Sequence, residues 1–166
     1  VWLYLLFQIF NFSHGQVFHL GADVGLSDSS GPFDAKTSAV SYGGRLGWLF
    51  YEHVSFGALA HFYQANRVTE SIGYFPLLAE VSFYPYGSPL EKSVLFISGL
   101  FGTTKIVYDL GTTEGTNNQT TFGVATGYSY FLDPRYSIGP ELRYLFVFDN
   151  QSYTFWSFLL SARVWF

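Results

Sequence analysis

The groups able to do chemistry in this chain are few and balanced in sign. Three acids and three arginines, Asp23, Glu80, Glu141, Arg45, Arg143 and Arg163, lie inside stretches otherwise built of apolar and small residues. Charges in such surroundings can neutralise one another as buried ion pairs. Alternatively, a carboxylate can serve acid–base or nucleophilic chemistry, which requires a partner. The histidines are His14, His19, His53 and His61. In an extended strand His19 and Asp23 share a face but lie ~13 Å apart, too far to bond. His61 has no partner near it in sequence. Without cysteine, thiol catalysis, disulfides and Cys-based zinc sites are excluded. No metal-ligand spacing, phosphate loop or nucleotide fingerprint occurs. The expectation is a non-enzymatic protein without metal or cofactor. The six charges form an ion-pair network, and His19 and His61 are inward polar groups.

Composition limits what could hold such a network. The chain has 166 residues, of which 22 % are aromatic and only 12 % charged. The charged share is about half the usual ~25 %. A disordered chain and an ordinary soluble helical domain are both excluded by this mixture. The net charge of −4 offers no basic patch for phosphates, so nucleic acid is not a partner. The length suits one domain.

The elements that position the charges are strands. After residue 16 no helical period is sustained, and alternation with period two takes its place. Eight runs emerge: 17–27, 39–51, 54–64, 74–86, 93–108, 120–131, 136–148 and 153–166. Connections after the first, third, fifth and seventh runs are mostly long and polar, such as SDSSGPFDAKTS and DLGTTEGTNNQ. The others are EH, GSPLEK and LDPR, which carry charge or turn formers. One parity collects bulky apolar residues and no charge in seven runs, for example Phe18, Leu20, Ala22, Val24 and Leu26. The opposite parity collects Gly, Ser and the charges. The fifth run is apolar on both faces and receives no parity. Pro140 interrupts the seventh run and predicts a local bulge or a missing ladder bond.

Volume decides which parity is inside. Eight strands enclose a lumen just wide enough for side chains to fill. Glycine, serine and a few long charged chains fit there; the full set of rings does not. The aromatic face therefore points into hydrocarbon, and open edges are not tolerated in lipid, so the sheet must close. The predicted fold is all-β: an eight-stranded antiparallel up-and-down transmembrane barrel spanning 16–166. Counting from the short-turn end places the six charges in a band ~13 Å deep. Rings at headgroup height form girdles: Trp48, Tyr51, Tyr84, Tyr86, Tyr130, Tyr136 and Trp165 near the short-turn end, Tyr63, Tyr74, Tyr108, Tyr153 and Trp156 near the other. Ahead of the barrel, Trp2 to Phe12 form an apolar run of 11 residues, and Ser13-His14-Gly15 supply small residues before Gln16. Residues 1–15 thus have the pattern of a secretory signal peptide, although the first basic residue is Lys36. An upstream extension would supply the missing basic stretch.

The eight amphipathic runs, the segment YFLDPRYSIGPELRYLF and the last strand FLLSARVWF resemble the small eight-stranded bacterial outer-membrane proteins, the OmpA/OmpX-like barrel family. The resemblance is one of pattern over 16–166. It implies a bacterial outer-membrane location. It also implies that Val164 and the terminal Phe166 act as the signal read by the barrel-assembly machinery during insertion. In that signal the family's preferred glycine is replaced by Ser161 and its polar residue by Leu159. The His-x-Ser pattern of the family's lipid A deacylases is absent. The implied partners are membrane lipids and lipopolysaccharide, and the implied state is a monomer. The expected role is structural or surface-loop display around an ion-pair-plugged lumen. Two alternatives are a narrow pore for small solutes or ions and a soluble lipocalin-like ligand-binding barrel.

Overall fold

The computed structural model describes residues 18–30, 39–51, 53–66, 71–86, 92–109, 114–148 and 153–166. The segment read as a signal peptide, 1–15, lies outside the described residues. The strands in chain order are β1 (Phe18–Ser30), β2 (Ala39–Tyr51), β3 (Val54–Asn66), β4 (Ser71–Phe83), β5 (Ser93–Asp109), β6 (Glu114–Asp133), β7 (Tyr136–Phe148) and β8 (Tyr153–Trp165). Each pairs antiparallel with its chain neighbour, and β8 closes on β1 to complete a barrel. Closure continues to the last residue: the Phe166 amide donates to the Phe18 carbonyl at 2.8 Å.

The period-two pattern is physically realised as two faces. Outward positions include Leu20, Tyr42, Leu46, Phe75, Leu142 and Phe158, all exposed. The six charged residues, His19 and His61 are all buried on the inward face. Such an exterior matches hydrocarbon, not water. It reverses the arrangement a soluble carrier needs. The structure also assigns the faces of β5. Leu95, Ile97 and Phe101 point out, whereas Val94, Phe96 and Leu100 point in. Both faces are apolar because this strand lines the two apolar ends of the lumen as well as the lipid.

Two details differ from the sequence pattern. β6 is 20 residues long and starts at Glu114, not at 120. Its first residues pair with β5 down to Asp109↔Glu114. This hairpin rises beyond the top of the β6–β7 ladder, which begins at Thr120↔Phe148. There both faces meet water, so hydrophobic alternation vanishes while the strand persists. The fourth run shifts toward the chain start, as β4 opens at Ser71 and closes at Phe83. Pro140 carries the expected missing ladder bond, without a bulge. Its pairing with Leu160 of β8 is intact, but on the β6 side the ladder lapses between Gly127↔Glu141 and Tyr130↔Ile138. Pro76 does the same on β4. It pairs with Thr104 of β5, while the β3 side lapses between Ala60↔Leu77 and Tyr63↔Tyr74. Each proline lacks the amide that one neighbour would have received.

Inward glycines set the lumen's capacity. A methyl added at Gly43 or Gly47 would overlap the ring of His61 or His19. At Gly127 it would meet the Phe96 ring at 2.6 Å and the Pro140 carbonyl at 2.7 Å. Gly127→Val should therefore destabilise the barrel by about 1–3 kcal/mol through overpacking. Urea unfolding in lipid vesicles measures this, and an unchanged midpoint would contradict the tight seat for Phe96.

Candidate functional site: an ion belt across the lumen

Five strands deliver the six charges, each from an inward position. β1 supplies Asp23, β2 Arg45, β4 Glu80, β7 Glu141 and Arg143, and β8 Arg163. Strand neighbours are small where the long side chains must pass. Gly21 stands between Arg45 and Arg163 in the ladder, and a methyl there would meet the Cγ atoms of Arg45 at 2.9 Å and Arg163 at 3.2 Å. The alternation of glycine with charge is thus the local reason the arginines can lie across the barrel.

The structure brings all six together. Arg45 is one hub: its Nη2 donates to Asp23 Oδ2 at 2.8 Å and to Glu141 Oε2 at 2.6 Å, and its Nη1 to Glu80 Oε1 at 3.4 Å. Arg143 is the second. Its Nη2 reaches Glu141 Oε1 at 2.7 Å and Asp23 Oδ2 at 3.1 Å, and its Nε reaches Glu141 Oε1 at 3.1 Å. Arg143 Nη1 also lies 3.1 Å from His61 Nδ1. A guanidinium only donates, so Nδ1 accepts and the ring proton resides on Nε2. Arg163 is peripheral. Its Nη2 stays 3.7 Å from Glu141 Oε2, and its guanidinium carbon sits 4.5 Å from the centroid of the Phe96 ring. The separation suits a cation–π contact.

Three acids against three arginines make the belt neutral overall. Charges taken out of water at this depth are tolerable only because each carboxylate faces at least one guanidinium. Each belt carboxylate is thereby engaged, Asp23 and Glu141 by both hubs and Glu80 by Arg45. His19 packs against Trp165 in a tilted ring contact with centroids 4.6 Å apart, and His61 is committed to Arg143. The arrangement is suited to filling and closing a lumen.

Apolar tiers lie on either side of the belt. Toward the short-turn end, Tyr84, Val94 and Phe96 cluster, and Trp165 packs on Phe131 at 5.7 Å. The Trp165 Nε1 donates to Ser137 Oγ at 3.1 Å. Toward the other end, Tyr63, Ile106, Val147, Tyr153 and Phe155 are buried together. This corrects five girdle assignments, Tyr63 and Tyr74 among them, both buried in this outer tier. Tyr84 and Trp165 are 1 % exposed and Tyr153 is 7 % exposed, all inside the barrel. Parity carried the warning. Tyr84 follows Glu80 and Ser82 at spacing two, Trp165 follows Ser161 and Arg163, and Tyr153 precedes Ser157. Height alone could not override the face. Trp48 is half-buried beside Phe18 on the outside, whereas Tyr86, Tyr130, Tyr136 and Trp156 are exposed. The Tyr51 and Tyr108 side chains lie outside the described residues. Val164 is half-buried and Phe166 is 60 % exposed at the closing seam. The apolar tiers were not foreseen, although the two-faced apolar character of the fifth run was their signal.

No protein-family profile and no curated protein matches the chain by sequence. Solved structures do match in fold. Neisserial surface protein A (NspA) superposes with a TM-score of 0.77 at 17 % identity, over 92 % of this chain and 100 % of that one. The N-terminal β-barrel domain of Pseudomonas aeruginosa OprF gives 0.66 at 13 % identity, over 91 % and 99 %. The attachment invasion locus protein Ail of Yersinia pestis gives 0.58 at 13 % identity, over 89 % and 97 %. The chain is thus an eight-stranded antiparallel barrel with the fold of the small bacterial outer-membrane barrels.

Proposed function

We propose that this protein is a solute-tight barrel of the bacterial outer membrane, acting as a structural element or as a platform that displays its outer connections. The observation that carries the reading is the neutral belt of Asp23, Arg45, Glu80, Glu141, Arg143 and Arg163, which crosses the lumen with every member buried. The apolar tiers above and below it add two further barriers to hydrated ions. Membrane lipids, including lipopolysaccharide, are the surroundings that the exposed aromatic and aliphatic exterior calls for. The barrel-assembly machinery would act on the terminal strand at Val164 and Phe166. The protein works as a monomer, because its sheet closes on itself and leaves no edge within the bilayer.

The test is conductance in planar lipid bilayers. A plugged barrel gives no discrete openings in molar potassium chloride. Reproducible unitary steps from the purified protein would replace this reading with the narrow pore. Heat-modifiable gel migration of the same sample checks that the inserted protein is folded.

A further inference from the structure

The outer mouth of the lumen has two unlike sides. On β1 and β2 the inward positions near the mouth are small: Ser27 and Ser29, then Ala39 and Ser41. On β3, β4 and β8 they carry the buried rings of Tyr63, Tyr74 and Phe155. Register brings the two sides to one height. Ser29 lies opposite Phe155, Ser27 opposite Ala39, Ser41 opposite Tyr63, and Tyr63 opposite Tyr74. Tyr63 and Tyr74 each lean on Phe155, with centroids 5.5 and 4.6 Å apart. Serine and alanine are too short to fill the space left beside these rings. A cleft of about 200 Å³, counting its open side, remains between them. Closing the lumen does not require it.

The lining selects a charge sign and a size. Aromatic faces are negative and attract a cation placed against them. A hydroxyl offers one proton and two lone pairs. Ser27 bonds both Ser41 and Ser157 at 2.8 Å, so this cluster has spent protons and keeps lone pairs. Asp28 lines the rim; alternation turns its side chain to the outer face, where its charge stays within a Debye length of the cleft. None of the described residues lining the cleft is cationic. The walled-in part admits a group about the size of one water molecule. That suits a primary ammonium and excludes a quaternary ammonium or a sugar ring.

We infer that this cleft is a binding site for a primary alkylammonium, the tip of a soluble flexible chain such as a lysine side chain or a polyamine, entering from outside the cell. The ammonium protons meet the lone pairs of Ser27 and Ser29, and the rings of Tyr63, Tyr74 and Phe155 stand beside its charge. Headgroups of the surrounding bilayer are not the source, because they lie outside the wall and the serines and rings point inside it. The site goes beyond the plugged-lumen reading and does not depend on it: a shallow cleft at the mouth binds equally whether the belt below is tight or leaky.

Titration of the full chain in phosphatidylcholine nanodiscs with ethylammonium chloride, followed by amide NMR, tests it. The Ser29 and Ala39 amides should shift and saturate, while those of Ser98 and Thr121 on β5 and β6 stay in place. Ethanol is neutral, potassium donates no hydrogen bond and tetramethylammonium is too large, so none of the three should move these amides at the same concentration. Ala39→Leu fills the cleft and should abolish binding. Asp28→Asn, on the exposed rim where folding is not at risk, should weaken it several-fold. The absence of a saturable shift with ethylammonium would overturn the site. Equal shifts with ethanol would reduce it to an apolar cleft, and equal shifts with potassium or tetramethylammonium to unspecific charge attraction; either result sinks the proposal. Exchanging phosphatidylcholine for phosphatidylethanolamine should leave the same amides unmoved, and a shift there would assign the site to lipid headgroups instead. Lys36 belongs to the connection between Ser30 and Ala39. Binding seen only in Lys36→Gln would make the chain's own ammonium the occupant and refute an external ligand.

Discussion

Arg45→Ala should lower the unfolding free energy by about 3–5 kcal/mol, the range for breaking a buried ion pair from one side. Arg45 touches all three acids of the belt. Its removal leaves Asp23 and Glu141 sharing Arg143, and Glu80 without its bonded guanidinium. The lumen would then hold a net negative charge in a space closed to bulk solvent. The charged partner is costly to leave behind; the pair itself adds far less than this to stability. A control follows from the same logic. Arg135 is exposed in the turn between β6 and β7, so Arg135→Ala should stay within about 0.5 kcal/mol of the parent. Urea titration in lipid vesicles, followed by tryptophan fluorescence, reads both. Equal midpoints for Arg45→Ala and the parent would show that the belt is not the buried network described.

Leu142→Arg should cost about 2–4 kcal/mol, the penalty for arginine on the lipid face at the bilayer midplane. Leu142 is central in β7 and 50 % exposed, between the buried Glu141 and Arg143. The comparison is sharp because an arginine is native one position along. Side chains at 142 and 143 differ only in which side of the wall they meet. Arg143 finds Glu141, Asp23 and His61, whereas an arginine at 142 finds acyl chains. The same vesicle titration measures it. A neutral result would mean that the apolar face does not contact hydrocarbon.

Much of this architecture could be read from residue order. Alternation such as Phe18, Leu20, Ala22, Val24 against His19, Gly21, Asp23, Gly25 defines a strand and its two faces without reference to any neighbour. The count of eight runs and the limited volume of an eight-stranded lumen then decide which face is inside. What misled was reasoning from height without parity. Tyr84, Tyr153 and Trp165 lie at plausible girdle levels, yet each shares a face with buried serines or charges. The polar residues 114–119 read as a connection in sequence because apolar alternation is a signal of lipid contact, and a hairpin standing above the bilayer need not carry it. The ladder lapse at Pro76 follows from the same missing amide as that at Pro140. Phe75 and Leu77 keep the alternation around it unbroken, so the sequence pattern does not mark it.

Residue order by itself determined the strands, their faces and the set of charges that must share the interior, because period two is a property of each strand alone. Only the tertiary structure decided who meets whom there. Asp23 and Arg143 are 120 positions apart and bond because closing the barrel carries β1 against β8, next to β7. The same closure made Arg45 and Arg143 the hubs and left Arg163 over the Phe96 ring. Register, shear and the space left by glycines set these distances, and none of them is a property of any single run.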